Sequence, residues 1–286
     1  MSAERARVET AASPWAARRP RAEELRDRHP FAAEVLTLYL ALLPVQEDTW
    51  RTVVEGAPPP TELPRWAAAA VVPAVVDATA AAGPATLGEA VRRRVAEEEA
   101  DDALSAWLAG AELDPVDRYL ARASLGPALE ALGEWAGAAC GPGPGQEAAL
   151  CPRCGGPPQL SCVADSGESL VTGRRSLVCA RCAASWDYTR SACPACGETD
   201  KARLRVYAER WEGPVSGNGN REGAGGAVFP HLRIAACESC RRYLIEVDMG
   251  RDGRAVPEVD ELAALPLDLY AHDQGLTKVT PNLMGF

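Results

Sequence analysis

Leu177-Val-Cys179-Ala-Arg-Cys182-Ala-Ala-Ser185-Trp-Asp-Tyr-Thr-Arg190-Ser-Ala-Cys193-Pro-Ala-Cys196-Gly197 holds two Cys-x-x-Cys turns in close succession. A third, Cys151-Pro-Arg-Cys154, lies upstream, and a fourth, Cys237-Glu-Ser-Cys240, lies downstream. Together they take eight of the ten cysteines. A Cys-x-x-Cys turn sets both sulfurs on one side of a tight loop, and two facing turns complete a tetrahedron suited to zinc or iron. Four such turns in one window predict two tetrathiolate metal sites.

Sequential pairing gives one site from Cys151, Cys154, Cys179 and Cys182, and a second from Cys193, Cys196, Cys237 and Cys240. Each half then reads as a knuckle, a strand pair and a second knuckle, as in zinc ribbons and rubredoxins. Interleaved pairing, the first turn with the third, would instead give a cross-braced module. Two of the turns have the form Cys-Pro-x-Cys-Gly, at Gly155 and Gly197. Proline fixes φ there, and glycine reaches positive φ so that backbone N–H groups can turn toward the thiolates. The turns at Cys179 and Cys237 lack both residues. With sulfur at every ligand position, neither site keeps a place for activated water. Closed all-cysteine sites are structural or electron-transferring. Cys162 reads as a small apolar filler, and Cys140 as an exposed thiol beside a linker.

Working outward, residues 22–55 carry helical periodicity in Leu25, Phe31, Val35, Leu38, Tyr39 and Leu42. His29-Pro30 separates two helices, and Pro44 is expected to kink or end the second. Pro58-Pro59-Pro60 is a break. Residues 66–82 read as an alanine-rich helix interrupted at Pro73, Thr86 to Glu89 as a capping box, and Asp114-Pro115 as a cap opening a helix that bends near Gly126-Pro127. The fold class expected is therefore α+β: an all-α N-terminal domain of five to seven helices, then two tandem rubredoxin-like or zinc-ribbon modules, each with four cysteines. The boundaries read from the sequence are a mobile N-terminus at 1–20, the all-α domain at 21–140, a Gly/Pro linker at 141–150, modules at 151–190 and 191–250, and a helical tail at 251–286. Strands are expected at 204–207, 232–235 and 243–247, with a flexible Gly-rich loop at 213–226. The linker predicts weak coupling, so losing Cys193 should leave the helices folded.

The chain has 286 residues and a formal net charge of −10, which argues against a general affinity for nucleic acid. Residues 151–250 hold 13 Lys and Arg against 11 Asp and Glu, and eight thiolates with two divalent ions push that balance below zero. No uncharged apolar stretch is long enough to span a bilayer. No secretory signal is evident, so a cytoplasmic protein with reduced thiols is expected. His29, His231 and His272 lie apart and read as surface or capping residues. Trp186 and Tyr188 read as filling a small core between the modules, with a docking surface including Arg190 as the alternative. No catalytic residues are expected.

The cysteine region resembles the formate dehydrogenase accessory protein family FdhE. The resemblance rests on Cys151-Pro-x-Cys-Gly-Gly-Pro-Pro, on the run from Leu177 through Trp186-Asp-Tyr-Thr-Arg190 to Gly197, and on Cys237-Glu-Ser-Cys240 followed by Tyr243-Leu. Arg28-His29-Pro30, Leu262, Pro266-Leu-Asp-Leu, Gly275 and Pro281-Asn282 also fit, whereas the insert at 213–226 departs from the pattern. The resemblance implies a helical domain, two rubredoxin-like modules with iron favoured over zinc, and a non-enzymatic maturation factor. Its implied partner is the catalytic subunit of a molybdenum- or tungsten-dependent formate dehydrogenase; a homodimer stays open, and no nucleic acid or stable membrane insertion is implied. The alternatives are a rubredoxin-like electron carrier and a nucleic-acid-binding zinc ribbon.

Overall fold

The first helix, α1 (Trp15–Arg28), begins inside the stretch expected to be mobile, with Trp15, Arg18 and Arg21 buried. This corrects the reading of residues 15–20: polar side chains break the apolar period there, but Arg18 and Arg21 are buried because they meet carboxylates. Arg18 forks onto Glu130 at 2.8 and 3.0 Å, and Arg21 donates to Asp260. The computed structural model describes residues 13–56, 58–140, 149–164, 173–209 and 227–286; the 141–145 linker and the 213–226 loop lie outside them.

A 3-10 turn, Pro30–Ala32, leads into α2 (Ala33–Gly56), which runs on past Pro44 rather than ending there. Then come α3 (Leu63–Ala70), α4 (Val72–Ala82), α5 (Ala85–Glu97), α6 (Asp101–Ala109), α7 (Pro115–Leu132) and the short α8 (Ala136–Cys140). The expected break at Pro73 falls at Val71, because proline is tolerated in the first turn of the helix that follows. The expected capping box at Thr86 is not used: α5 starts at Ala85 after Pro84, with no side-chain cap. Asp114 does cap α7, accepting from Val116 N and Asp117 N.

The strands are β1 (Pro158–Val163), β2 (Arg175–Cys179), β3 (Ser185–Asp187), β4 (Leu204–Tyr207), β5 (Leu232–Cys237), β6 (Arg242–Asp248) and β7 (Thr277–Lys278). Helices α9 (Pro257–Ala263) and α10 (Leu265–Asp273) precede β7. The order is β3-β2-β1-β6-β5-β4, with β7 paired to β6. β1 and β6 run parallel, Ser161 opposite Glu246 and Val163 opposite Asp248, so both cysteine halves share one sheet.

Packing crosses the 141–150 boundary. One core joins Leu42, Leu104, Leu120 and Leu129 of the helices to Cys151, Cys154, Cys179 and Cys182. The other joins Leu25, Leu36, Tyr39 and Leu43 to Leu160, Ile234, Ile245 and Leu262. Helix α2 serves both, because 3.6 residues per turn puts Leu38 and Leu42 on one side and Leu36, Tyr39 and Leu43 on another. Each such fully buried leucine contributes about 2 kcal/mol of apolar burial. The second core is ringed by buried ion pairs: Lys278 reaches Glu261 at 2.7 Å and Asp268 at 3.1 Å, and Tyr243 donates to Asp268 at 2.7 Å.

Candidate metal centres

The four turns share one construction. In each, the residue after the second cysteine takes a positive φ: Gly155 (68°), Ala183 (54°), Gly197 (75°) and Arg241 (59°). Gly155 N donates to Cys151 O, Gly197 N to Cys193 O and Arg241 N to Cys237 O, each at 2.9 Å. Closing the other side, Cys151 N donates to Gly156 O, Cys179 N to Ala184 O and Cys193 N to Glu198 O. Glycine is therefore a sufficient sign of this geometry and not a necessary one; Ala183 and Arg241 adopt it against their steric preference.

The structure brings together Cys151, Cys154, Cys179 and Cys182, and separately Cys193, Cys196, Cys237 and Cys240, with all four sulfurs of each group within 4.8 Å of one another. The interleaved grouping is not formed. In the first group Cys151 Sγ lies 3.6 Å from Cys182 Sγ, and Cys154 Sγ 3.4 Å from Cys179 Sγ. In the second, Cys193–Cys240 and Cys196–Cys237 are each 3.8 Å apart. A tetrahedron with metal–sulfur bonds of about 2.3 Å has edges of about 3.8 Å, so both quartets can hold an ion with little adjustment.

The donor chemistry also fits a cation. In the first quartet the Cys154 thiol is held well below its usual value, chiefly by hydrogen bonds from Cys140 and Cys151. Cys151 falls to about 7, where the bond with Cys154 opposes the change and bonds with Cys179 and Cys182 drive it. Cys179 and Cys182 are pushed up, first by their bonds to Cys151 and then to Cys154. The bonds among the four sulfurs thus favour the thiolate at some positions and the thiol at others, whereas a bound cation lets all four be thiolates. Backbone N–H groups assist, from Arg181 to Cys179 Sγ at 3.3 Å and from Ala195 to Cys193 Sγ at 3.4 Å.

The surroundings of the two quartets differ. All four thiols of the first are buried, whereas Cys196 of the second is exposed and Cys240 half-buried. The first is walled by helices: Arg181 donates to Leu108 O at 3.1 Å and lies over the Trp107 ring, and Arg153 pairs with Glu134 at 2.7 Å. A β-carbon on Gly137 of α8 would come within 2.4 Å of Arg153 O, so the knuckle rests on the bare backbone of that helix.

Cys140, expected to be an exposed thiol, is buried beside the first quartet and hydrogen-bonds Cys154. It ends α8, which packs on the same core as the quartet, and the adjoining linker composition conceals this. Cys162 is half-buried on β1, and burial pushes its thiol up to about 12. His272 is exposed, but His29 and His231 are buried; His231 Nε2 lies 2.7 Å from Asp260 Oδ1, a carboxylate that α9 supplies from far along the chain. Trp186 packs on the helical core, and Tyr188 donates to Cys193 O at 3.3 Å, linking β3 to the second quartet. Among the described residues no single helix is long and apolar enough to cross a membrane.

Residues 222–284 match the family model described as the FdhE C-terminal domain. The chain is 30% identical over 136 residues to the protein FdhE homolog of Aquifex aeolicus, covering 48% of this chain and 41% of that one. It is 33% identical over 135 residues to the protein FdhE homolog of Pseudomonas aeruginosa, covering 47% and 39%. The matched part thus spans about two fifths of the length of these curated relatives. The crystal structure of the FdhE protein from Pseudomonas aeruginosa superposes with a TM-score of 0.63 at 25% identity, over 96% of each chain. Residues 222–284, about a fifth of the chain, match the family model, and 96% of the chain superposes on the Pseudomonas aeruginosa structure, so the chain is similar to FdhE proteins over nearly its whole length.

Proposed function

We propose that the protein is a non-catalytic accessory factor for a formate dehydrogenase. In this reading it binds the catalytic subunit of the molybdenum- or tungsten-dependent enzyme and assists its assembly or activation. The observation that carries it is the pair of closed thiol quartets set into an FdhE fold. All-sulfur sites leave no ligand position for substrate, which suits binding rather than turnover. The quartets would hold two metal ions, with iron favoured by the family resemblance. Cytoplasmic residence follows from the need to keep eight thiols reduced. The test is affinity purification of the tagged chain from cells making a formate dehydrogenase, alongside deletion of its gene. Co-purification of the catalytic subunit and loss of formate oxidation on deletion are expected; a chain that captures no such subunit sinks the reading.

A second reading is favoured by one observation, the exposure of Cys196. A rubredoxin-like iron there would lie near solvent and exchange single electrons. Anaerobically purified protein would then show visible charge-transfer bands that bleach reversibly on reduction, while a colourless zinc protein excludes it.

A further inference from the structure

On the sheet face turned away from the second core lies a half-open cavity of about 430 Å³. The register explains its lining. Arg233 pairs with Glu246, Ala235 with Leu244 and Cys237 with Arg242, so these side chains share one face while Ile234 and Ile245 enter the core behind. Six cations line the cavity: Arg175, Arg190, Lys201, Arg205, Arg233 and Arg242. They come from β2, β4, β5, β6 and the segments beside the third knuckle. Glu246 is the one carboxylate in the lining among the described residues.

The cations fall into two tiers. At the floor, Arg175 is 8% exposed, and Arg175 Nε and Arg233 Nε are both buried without a hydrogen-bond partner among the described residues. Glu246 lies 3.6 Å from Arg175 and 3.4 Å from Arg233, too far to satisfy either guanidinium fully. Asp248 takes one further group of Arg233 at 3.0 Å, and Glu238 takes Arg205 at 2.8 Å. At the rim, Arg190, Lys201 and Arg242 are exposed, and among the described residues none of them forms an ion pair. Among the described residues these three rim cations have no carboxylate partner, in a chain whose net charge is −10.

Holding like charges together in this way is unfavourable unless an anion joins them. Guanidinium groups at the base, with their planar forks, suit phosphoryl oxygens, and a phosphate monoester carries about −2 at neutral pH. The volume lies in the range of small-molecule sites and exceeds what a lone phosphate fills. The rest of the wall is apolar, with Ala235, Leu204 and Val206 beside the charges. We propose that this cavity is a binding site for a small diphosphate-bearing molecule, its phosphoryl groups gripped by the floor guanidiniums and the rim cations together and its remainder lying on the apolar wall. The site goes beyond the accessory role and does not depend on it. Since Cys193 and Cys237 line the same cavity, the ligand would lie against the outer side of the second thiol quartet.

Calorimetric titration of the metal-loaded full chain with pyrophosphate at low salt tests the proposal. Saturable binding is expected, weakening as salt is added and falling about tenfold with each of Lys201→Glu and Arg242→Glu. Arg51→Glu, a reversal on the exposed side of α2, should leave it unchanged. Metal content and circular dichroism confirm that each variant is folded. Absence of pyrophosphate binding would overturn the proposal, as would equal weakening by Arg51→Glu, which would reveal a general charge effect. Capture of poly-glutamate with no affinity for pyrophosphate would overturn it too, and would mark the groove as a seat for an acidic protein segment.

Discussion

Ala183 follows Cys182 in the left-handed backbone conformation that Gly155 takes after Cys154, with φ of 54° and 68°. The first thiol quartet is thus closed by one turn that is unstrained and one that is not. A left-handed L-residue costs roughly 1–2 kcal/mol, partly offset by the wider freedom of glycine when unfolded. Ala183→Gly is therefore expected to stabilise the metal-loaded protein by about 1 kcal/mol, read as a higher urea midpoint. A midpoint that falls would mean that the Ala183 methyl makes contacts worth more than the strain.

Gly156→Ala tests how tightly the first quartet is framed. Its new β-carbon would lie 2.9 Å from Cys179 Sγ, closer than van der Waals contact allows. Arg181 can swing aside, but a metal-bound sulfur cannot. Metal analysis should show occupancy dropping from about two ions per chain toward about one, with the second quartet retained. Full occupancy at both would show that the knuckle can shift without losing its ion.

The quartets should differ in what their loss does. Cys154 belongs to the core that also holds Leu104 and Leu129, whereas Cys193 sits in a group with an exposed member. Cys154→Ser is expected to cost more than about 3 kcal/mol and to loosen α6 and α7 along with the knuckles. Cys193→Ser should remain local, consistent with weak coupling for that half alone. Hydrogen exchange read by mass spectrometry separates the two outcomes; equal deprotection of α7 in both variants would contradict this difference.

His29 sets an acid sensitivity. It is buried against Phe229, with ring centroids 4.6 Å apart, and burial first, then the positive charges of Arg28 and Arg21, holds its imidazole below the usual value. A depressed folded value means that neutral His29 supports the fold above about pH 6.5, and that this support is lost as pH falls from there through the folded value. His29→Gln should flatten the stability profile between about pH 7.5 and about 5.5 relative to the parent chain. Parallel profiles would show that the ring accommodates its proton without cost.

The thiol quartets are legible in the sequence because their ligands are adjacent: a Cys-x-x-Cys turn is a local object, and only the pairing of turns requires the fold. Strands with dense β-branched or aromatic character, such as Leu204–Tyr207, are legible for the same reason. β1 is not, since Pro-Gln-Leu-Ser-Cys-Val has little intrinsic strand character and becomes a strand by lying between β2 and β6. Trp15 to Pro20 hides its helix because the burial of Arg18 and Arg21 depends on Glu130 and Asp260, more than a hundred residues away. The cationic cavity is hidden in the same way. Its charges are scattered among acidic residues along the chain, and only strand pairing sorts them onto one face.

The parallel seam between β1 and β6 sets an order of events during synthesis. β1 is made early, yet the strand that occupies its free side is finished only when Asp248 is added, and α1 waits longer still for Asp260 of α9. Until then the nascent chain presents an open sheet edge and a first helix that rests on α2 but lacks its packing against α9. The two thiol quartets join turns between 25 and 47 residues apart, so each can assemble before the two ends of the chain meet. Translation that stalls short of α9 would leave a ribosome-bound intermediate with both thiol quartets complete but prone to aggregate.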